Sequence, residues 1–268
     1  MPELPEAETI VKYLRPKIRG KRVLKLWSNT PRLFRQGKNL HKISILIKGK
    51  TILDTTRVGK NIVLALNNQY NLYIHLMMTG KLLWNYSKLR ERHIRFSMEL
   101  NGKNTLALHD IRKFGWIRLI KKENFSDARV NKDALSISFE DFKNSLNLRK
   151  MKIKNALLNQ KIVQGIGNIY SDEILWYAGI EPLRPANSLN SKKIKRIYSA
   201  MKKVLKMAIR KGGTSMRDYR KPNGKKGGYY PIRRVYQREG EKCARDGAII
   251  KRIKIGGRSA HFCPYHQT

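Results

Sequence analysis

The chain has 268 residues, with 58 Lys and Arg against 19 Asp and Glu, a formal net charge of +39, and a 41% hydrophobic content. That size and apolar content speak against intrinsic disorder, and two cysteines rule out a disulfide scaffold. With no apolar run longer than five residues, there is neither a membrane span nor a signal-peptide core, and the expectation is a soluble, intracellular, cytoplasmic protein.

Residues 3–14 read as an amphipathic helix, because Ala7, Ile10, Val11 and Leu14 follow helical spacing and prolines stand only at its mouth. The period then changes to two. Ile43, Ile45 and Ile47 alternate with polar residues, as do Ile94, Phe96, Met98 and Leu100. Segments 61–66, 71–76, 104–109 and 115–120 have strand length, with Asn67-Asn68 and Asn101-Gly102 as turn signals. The first 125 or so residues therefore predict a β-sandwich or barrel with one helix attached. From Phe139 the pattern is helical, and Ile194, Ile197, Met201, Val204, Leu205 and Ala208 make one stripe.

Between 191 and 234 stand 16 basic residues and a single acid, Asp218. So biased a run points to a phosphate-binding surface, and the charge as a whole argues for nucleic acid before an anionic membrane. The glycine-rich stretch 212–232 is too long for an ordinary connection, so it is a linker or a functional loop. The last 35 or so residues cannot bury a core alone and need docking or a staple.

Removal of Met1, expected when a small residue follows, exposes the secondary amine of Pro2. Such an amine titrates near pH ~8 and is nucleophilic at neutral pH. Its adduct with a sugar aldehyde is an iminium, which is an electron sink for elimination. Glu3, Glu6 and Glu8 lie beside it, and their ordinary role would be to complement the helix dipole.

The opening Met1-Pro2-Glu3-Leu4-Pro5-Glu6-Ala7-Glu8-Thr9 resembles that of bacterial formamidopyrimidine-DNA glycosylases. Gly165-Ile166-Gly167-Asn168-Ile169-Tyr170, continuing to Ala178-Gly179-Ile180, is similar to the family's helix–two-turns–helix motif. Gly212-Gly213-Thr214 with Arg217-Asp218-Tyr219 resembles its loop over the damaged base. Cys243 and Gly257-Arg258 through Cys263-Pro264 resemble its C-terminal zinc finger. These motifs run in family order along the whole chain.

The resemblance implies an α+β multidomain fold. Residues 1–128 would form a catalytic β-sandwich with an N-terminal helix, and 129–232 a helical DNA-binding domain that includes the lesion loop 212–232. Residues 233–268 would form a zinc-finger-like β-hairpin. It further implies a bifunctional DNA glycosylase and AP lyase that excises oxidised purines, 8-oxoguanine and formamidopyrimidines, from duplex DNA held between domains. The protein would act as a monomer, with no obligate protein partner and no membrane. Pro2 would attack C1′, Glu3 would serve as the acid/base that opens the sugar, and Lys60 would grip phosphate near the lesion. His75 and His93 would face the DNA backbone. Met78, Arg112 and Phe114 would fill the hole left by an extruded base, with Arg112 bonding the orphaned cytosine. Asn168, at a helix start, would seat a phosphate, as would Arg258 at the finger's hairpin tip. Glu173 reads as structural.

The finger departs from the family's four cysteines. The family spacing survives as Cys243, Asp246, Cys263 and His266, a set that can hold one structural Zn²⁺ because Asp oxygen and His nitrogen are both zinc donors. A finger that keeps its shape without metal is the alternative, and a Cys243–Cys263 disulfide a lesser one. Ile111 replaces the usual proline before Arg112, and Met77 stands where glycine is usual. Two other functions remain open at this point: an endonuclease VIII-like enzyme for oxidised pyrimidines, and a non-catalytic nucleic-acid-binding relative.

Overall fold

A computed structural model of the chain describes residues 1–35, 39–86, 92–124 and 132–268. They form two compact units: Met1–Ser126 together with Lys211–Tyr230, and Asp127–Arg210 together with Pro231–Thr268.

The first unit opens with α1 (Leu4–Ile18), which starts in a capping box. Glu3 accepts the backbone N–H at the third helical position, and Glu6 Oε2 accepts the N–H of Glu3 at 2.7 Å. The stripe read from sequence is the buried face, extended by Leu4 and Ile18. After β1 (Val23–Ser28) comes α2 (Leu40–Ile47). This helix corrects the strand expected at Ile43, Ile45 and Ile47. The Asn39 side chain accepts the N–H of Lys42 at 2.9 Å and caps a helix there. Ile43 and Ile47, one turn apart, are fully buried, while Ile45 is 67% exposed. Three isoleucines at spacing two satisfy a strand on paper, but here only the pair at spacing four enters the core.

The remaining strands are β2 (Ile52–Val58), β3 (Asn61–Leu66), β4 (Tyr70–His75), β5 (Lys81–Trp84), β6 (Ile94–Leu100), β7 (Asn104–His109) and β8 (Trp116–Lys121). They make two antiparallel four-stranded sheets, ordered β1-β6-β7-β5 and β2-β3-β4-β8. Leu26, Phe96 and Met98 of one sheet share a core with Ile62, Leu64, Leu72 and Ile117 of the other, joined by Ile10 and Leu14 of α1. This is the expected β-sandwich, with two helices rather than one.

Residues 211–230 belong to this unit, whereas the sequence reading grouped 212–232 with the helical domain. The segment folds back on itself. Gly228 N–H donates to Lys211 O at 2.7 Å and Tyr229 N–H to Gly213 O at 3.1 Å. A Cβ on Gly227 would lie 2.3 Å from Gly213 O, so only glycine admits that crossing. Tyr219 enters the sandwich core itself.

The second unit contains α3 (Phe139–Asn147), α4 (Ile153–Leu158), α5 (Asn168–Ala178), α6 (Ser191–Arg210) and the hairpin β9 (Lys251–Ile255) and β10 (Arg258–Phe262). The predicted stripe of α6 is its buried side. Gly179 ends α5 in the left-handed conformation at φ 65°. The tail does dock: Thr268 N–H donates to Gly179 O, and Gln267 Nε2 donates to Ile180 O at 3.0 Å.

Two adjacent acids of α5 complete that attachment. Buried Asp172 pairs with Lys154 of α4 and accepts both the N–H of His261 at 3.0 Å and its Nδ1 at 2.8 Å. Buried Glu173 accepts the backbone N–H groups of Arg234, Val235 and Tyr236 at 2.9–3.1 Å. None of the described helices is long and apolar enough to cross a membrane.

Candidate functional sites

The N-terminus of the first unit is built around Glu6. Pro2, Glu3 and Glu6 are buried, while Met1 is 45% exposed. Besides capping Glu3, the Glu6 carboxylate accepts the N–H of Thr214 through Oε1 at 2.7 Å. A Cβ at Gly213 would stand 2.9 Å from that same oxygen. Burial, together with the neighbouring Glu6 charge, pushes the Tyr219 phenol far above its ordinary value. Glu3 and the 211–230 segment thus meet at one carboxylate. Glu8 pairs with Arg57 at 2.9 Å, and Arg57 also donates to Gly59 O beside Lys60.

Lys60 occupies the β2–β3 turn, where Gly59 adopts φ 58°. His75, at the end of β4, pairs in register with Asn61 and stacks on Trp116 at 5.1 Å. Its Nδ1 accepts the N–H of Met77 at 3.0 Å. Burial, then the charges of Lys60, Arg35 and Arg118, lower its pKa to about 4. At neutral pH the ring is therefore uncharged and presents Nε2–H as a donor. Lys60 and His75 are neighbours, a cation and a neutral donor.

Met78, Arg112 and Phe114 come together. Arg112 Nη1 approaches Met78 Sδ at 3.3 Å, and its guanidinium lies 4.6 Å from the Phe114 ring centroid. Met78 and Phe114 are 41% and 42% exposed, two large apolar side chains in contact with one guanidinium. Beneath them lies Asp110, fully buried. Its Oδ1 accepts Thr79 Oγ1 at 2.5 Å, and its Oδ2 accepts the N–H of Gly115 at 2.8 Å. Thr79 Oγ1 in turn accepts the N–H of Arg112 at 3.2 Å. Arg95 Nε donates to Asp110 O at 3.0 Å, and Arg95 Nη2 lies 3.2 Å from His93 Nδ1. His93, one residue before β6, is thereby joined to the same hub.

Met77 takes φ 50°, a left-handed conformation in which glycine is at ease and methionine is strained by roughly 1–2 kcal/mol. Sequence reasoning overlooked Asp110 and the bridging part of Glu6. The spacing Glu3-x-x-Glu6 is itself a capping-box signal, and Asp110 is the single acid of its loop motif, Asp110 to Gly115.

In the second unit Asn168 begins α5 behind Gly167, and its Oδ1 is buried without a hydrogen bond partner. Arg258 is exposed at the β9–β10 turn. Cys243, Asp246, Cys263 and His266 converge, with one donor atom from each lying within 4.8 Å of the others. Cys243 Sγ lies 3.8 Å from His266 Nδ1, and Cys263 Sγ 3.2 Å from Asp246 Oδ1. Tetrahedral zinc bonds of ~2.0–2.3 Å place donors about 3.3–3.8 Å apart, so the set fits the ion. His266 Nε2 faces Trp176 O at 3.3 Å, and its Nδ1 lies 2.5 Å from Asp246 Oδ2. Both cysteines are free thiols, not a disulfide.

These features agree with what the chain resembles in sequence and in structure. The family model for the formamidopyrimidine-DNA glycosylase N-terminal domain matches residues 1–117, that for the family's H2TH domain 130–220, and that for a zinc finger found in FPG and IleRS 240–264. Formamidopyrimidine-DNA glycosylase of Solibacter usitatus is 38% identical over 267 residues, covering 100% of this chain and 99% of its own. The Streptococcus mutans enzyme of that name is 36% identical, covering 98% of each. Wild-type Lactococcus lactis Fpg (MutM), solved with an N7-benzyl-Fapy-dG containing DNA, aligns at TM-score 0.90 and 33% identity over 100% of both chains. A structure of MutM with carbocyclic 8-oxo-G containing DNA aligns at 0.90 and 33%, also over 100% of both. The chain belongs to the formamidopyrimidine-DNA glycosylase family.

Proposed function

We propose that the protein excises oxidised purines from duplex DNA and then cuts the strand at the abasic sugar. The observation that carries this reading is the exposed trio Met78, Arg112 and Phe114, held on the buried carboxylate of Asp110. Simple binding of DNA does not require large apolar side chains in water. Replacement of an extruded base does, because lost stacking costs a few kcal/mol that an apolar wedge and a ring can restore. Arg112 bonds the orphaned cytosine.

Once Met1 is removed, the Pro2 nitrogen attacks C1′ and the bond from C1′ to the base breaks, the base leaving with the electron pair. Glu3 delivers a proton as the sugar ring opens, and the resulting Schiff base undergoes β,δ-elimination. Lys60 holds a phosphate near the lesion, the neutral ring of His75 donates a hydrogen bond to the backbone, and His93 faces the backbone as well. Asn168 and Arg258 contact phosphates from the second unit. The functional division follows the three motifs, with 1–128 catalytic, 129–232 DNA-binding and 233–268 a finger. Cys243, Asp246, Cys263 and His266 hold one structural Zn²⁺, which supplies rigidity to the finger and no chemistry.

The test is borohydride trapping with duplex DNA carrying 8-oxoguanine opposite cytosine, using protein shown by intact mass to begin at Pro2. A covalent band that maps to Pro2 and is absent in Pro2→Gly supports the proposal. Trapping of an oxidised-pyrimidine duplex in preference would reassign the substrate. No band with either lesion or with an abasic duplex would leave only a DNA-binding protein.

A further inference from the structure

The second unit contains a cavity of about 460 Å³ at the C-terminal end of α5. It is lined by Trp176, Tyr177, Lys195, Arg196, Ser199, Ala200, Lys203, Arg234 and Arg245. Five of these residues are cations and none is an acid. Unlike Lys154 with Asp172, Arg238 with Glu241 and Arg252 with Glu239 in the same unit, Lys195, Arg196, Lys203 and Arg245 stand in no ion pair among the described residues. Four such like charges around one cavity repel each other, a cost that a bound anion removes.

The cations are also held in place. Arg245 lies 4.5 Å and Arg234 5.8 Å from the Trp176 ring centroid, and Lys203 Nζ lies 5.2 Å from that of Tyr177. Trp176 is itself fixed. Its indole N–H points at Cys243 Sγ at 3.4 Å and its carbonyl faces His266. The aromatic faces are therefore occupied by side chains of the chain itself, and what the cavity offers a ligand is ammonium and guanidinium N–H groups. Asn168, the phosphate seat proposed above, stands at the other end of α5, about 12 Å away along the helix axis.

We infer that this cavity is a second anion site, separate from the DNA contacts, for a compact ligand bearing several phosphates, such as a polyphosphate chain or the triphosphate of a nucleotide. Adjacent phosphates match several clustered cations better than a single phosphate does, and guanidinium groups bind phosphate oxygens in pairs.

The test is calorimetric titration of the full chain at constant ionic strength with inorganic tripolyphosphate and, separately, with ATP. The expected result is one site per chain for tripolyphosphate, with the double variant Lys203→Gln, Arg245→Gln binding at least tenfold more weakly. A control pair on the first unit, Lys12→Gln with Lys48→Gln, removes the same charge and leaves affinity within twofold. Should the double variant not fold, Lys195→Gln alone, on the exposed side of α6, is expected to weaken binding at least threefold. ATP binding within tenfold of tripolyphosphate, and lost in the same variants, identifies the phosphates as the recognised group. Equal losses in both charge pairs would overturn the site in favour of diffuse charge, as would absence of binding. A larger fall in abasic-DNA affinity for the cavity pair than for the control pair would instead make the cavity part of the DNA contact surface.

Discussion

Glu6 Oε1 accepts the backbone N–H of Thr214 at 2.7 Å, across 208 positions of sequence, while Oε2 accepts that of Glu3. One buried carboxylate thus fixes both the residue next to the proposed nucleophile and the start of the segment that resembles the family's lesion loop. Glu6→Ala leaves two buried N–H groups without this acceptor, at about 1–3 kcal/mol each. The expected outcome is a lower urea midpoint together with faster amide exchange at Thr214. Exchange at Thr214 that stays as slow as in the wild type would contradict this account.

Asp110 holds Thr79 and Gly115, and through them the two loops that present Met78, Arg112 and Phe114. Asp110→Asn keeps the shape but replaces a charged acceptor of two hydrogen bonds by a neutral amide whose one oxygen can accept for only one of the two positions. Excision opposite cytosine is expected to fall about 5–150-fold, the equivalent of ~1–3 kcal/mol, whereas cleavage of a preformed abasic site falls less. A 2-aminopurine reporter next to the lesion would show base extrusion slowed to match.

His75 and Lys60 are expected to separate in salt and pH experiments. Lys60→Ala lowers the slope of log affinity against log salt by about 0.9, the value for one phosphate contact on B-DNA. His75→Gln leaves that slope unchanged at pH 7.5, because the ring is already neutral. The folded pKa of His75 is about 4 against an ordinary 6.5. Above pH 6.5 the ring is neutral in both states, and between 6.5 and 4 only the unfolded chain takes up the proton. Stability therefore falls through that window as pH is lowered, with no further loss from this group below 4. His75→Gln removes that part of the slope, and the imidazole resonance of the wild type should titrate near 4.

Elemental analysis of the purified protein is expected to show one zinc per chain, and His266→Ala to lose it. Because His266 and Cys243 both engage Trp176, chelation should change the hydrogen-exchange protection of the α5 C-terminus. Protection that is the same with and without chelator would favour a finger held by packing alone.

Much of this was readable from residues, for identifiable reasons. The stripe of α6 and the alternation of β6 were legible because each is long and strictly periodic. Ile43, Ile45 and Ile47 misled because a short apolar run fits two periods, and the Asn39 cap that decides between them lies outside the run. The metal cluster was legible only through the resemblance, which supplies the family spacing on which Cys243, Asp246, Cys263 and His266 fall. The acceptor roles of Asp110, Asp172 and Glu173 were not, because most of their partners are backbone N–H groups that sequence does not distinguish. Nor was the packing of 211–230 with the first unit: glycines advertise freedom, and only Tyr219 and the Glu6 contact determine where that freedom ends.

Glu3, Glu6, Asp110, Asp133, Asp172 and Glu173 are all buried, whereas among the described lysines and arginines only Arg95 and Lys154 are. The acids serve as internal fasteners, and the solvent meets a coat more uniformly cationic than the formal +39 conveys. Such a coat behaves as a polyelectrolyte. In dilute buffer the protein should travel with whatever nucleic acid a cell extract contains, and only strong salt during purification should free it.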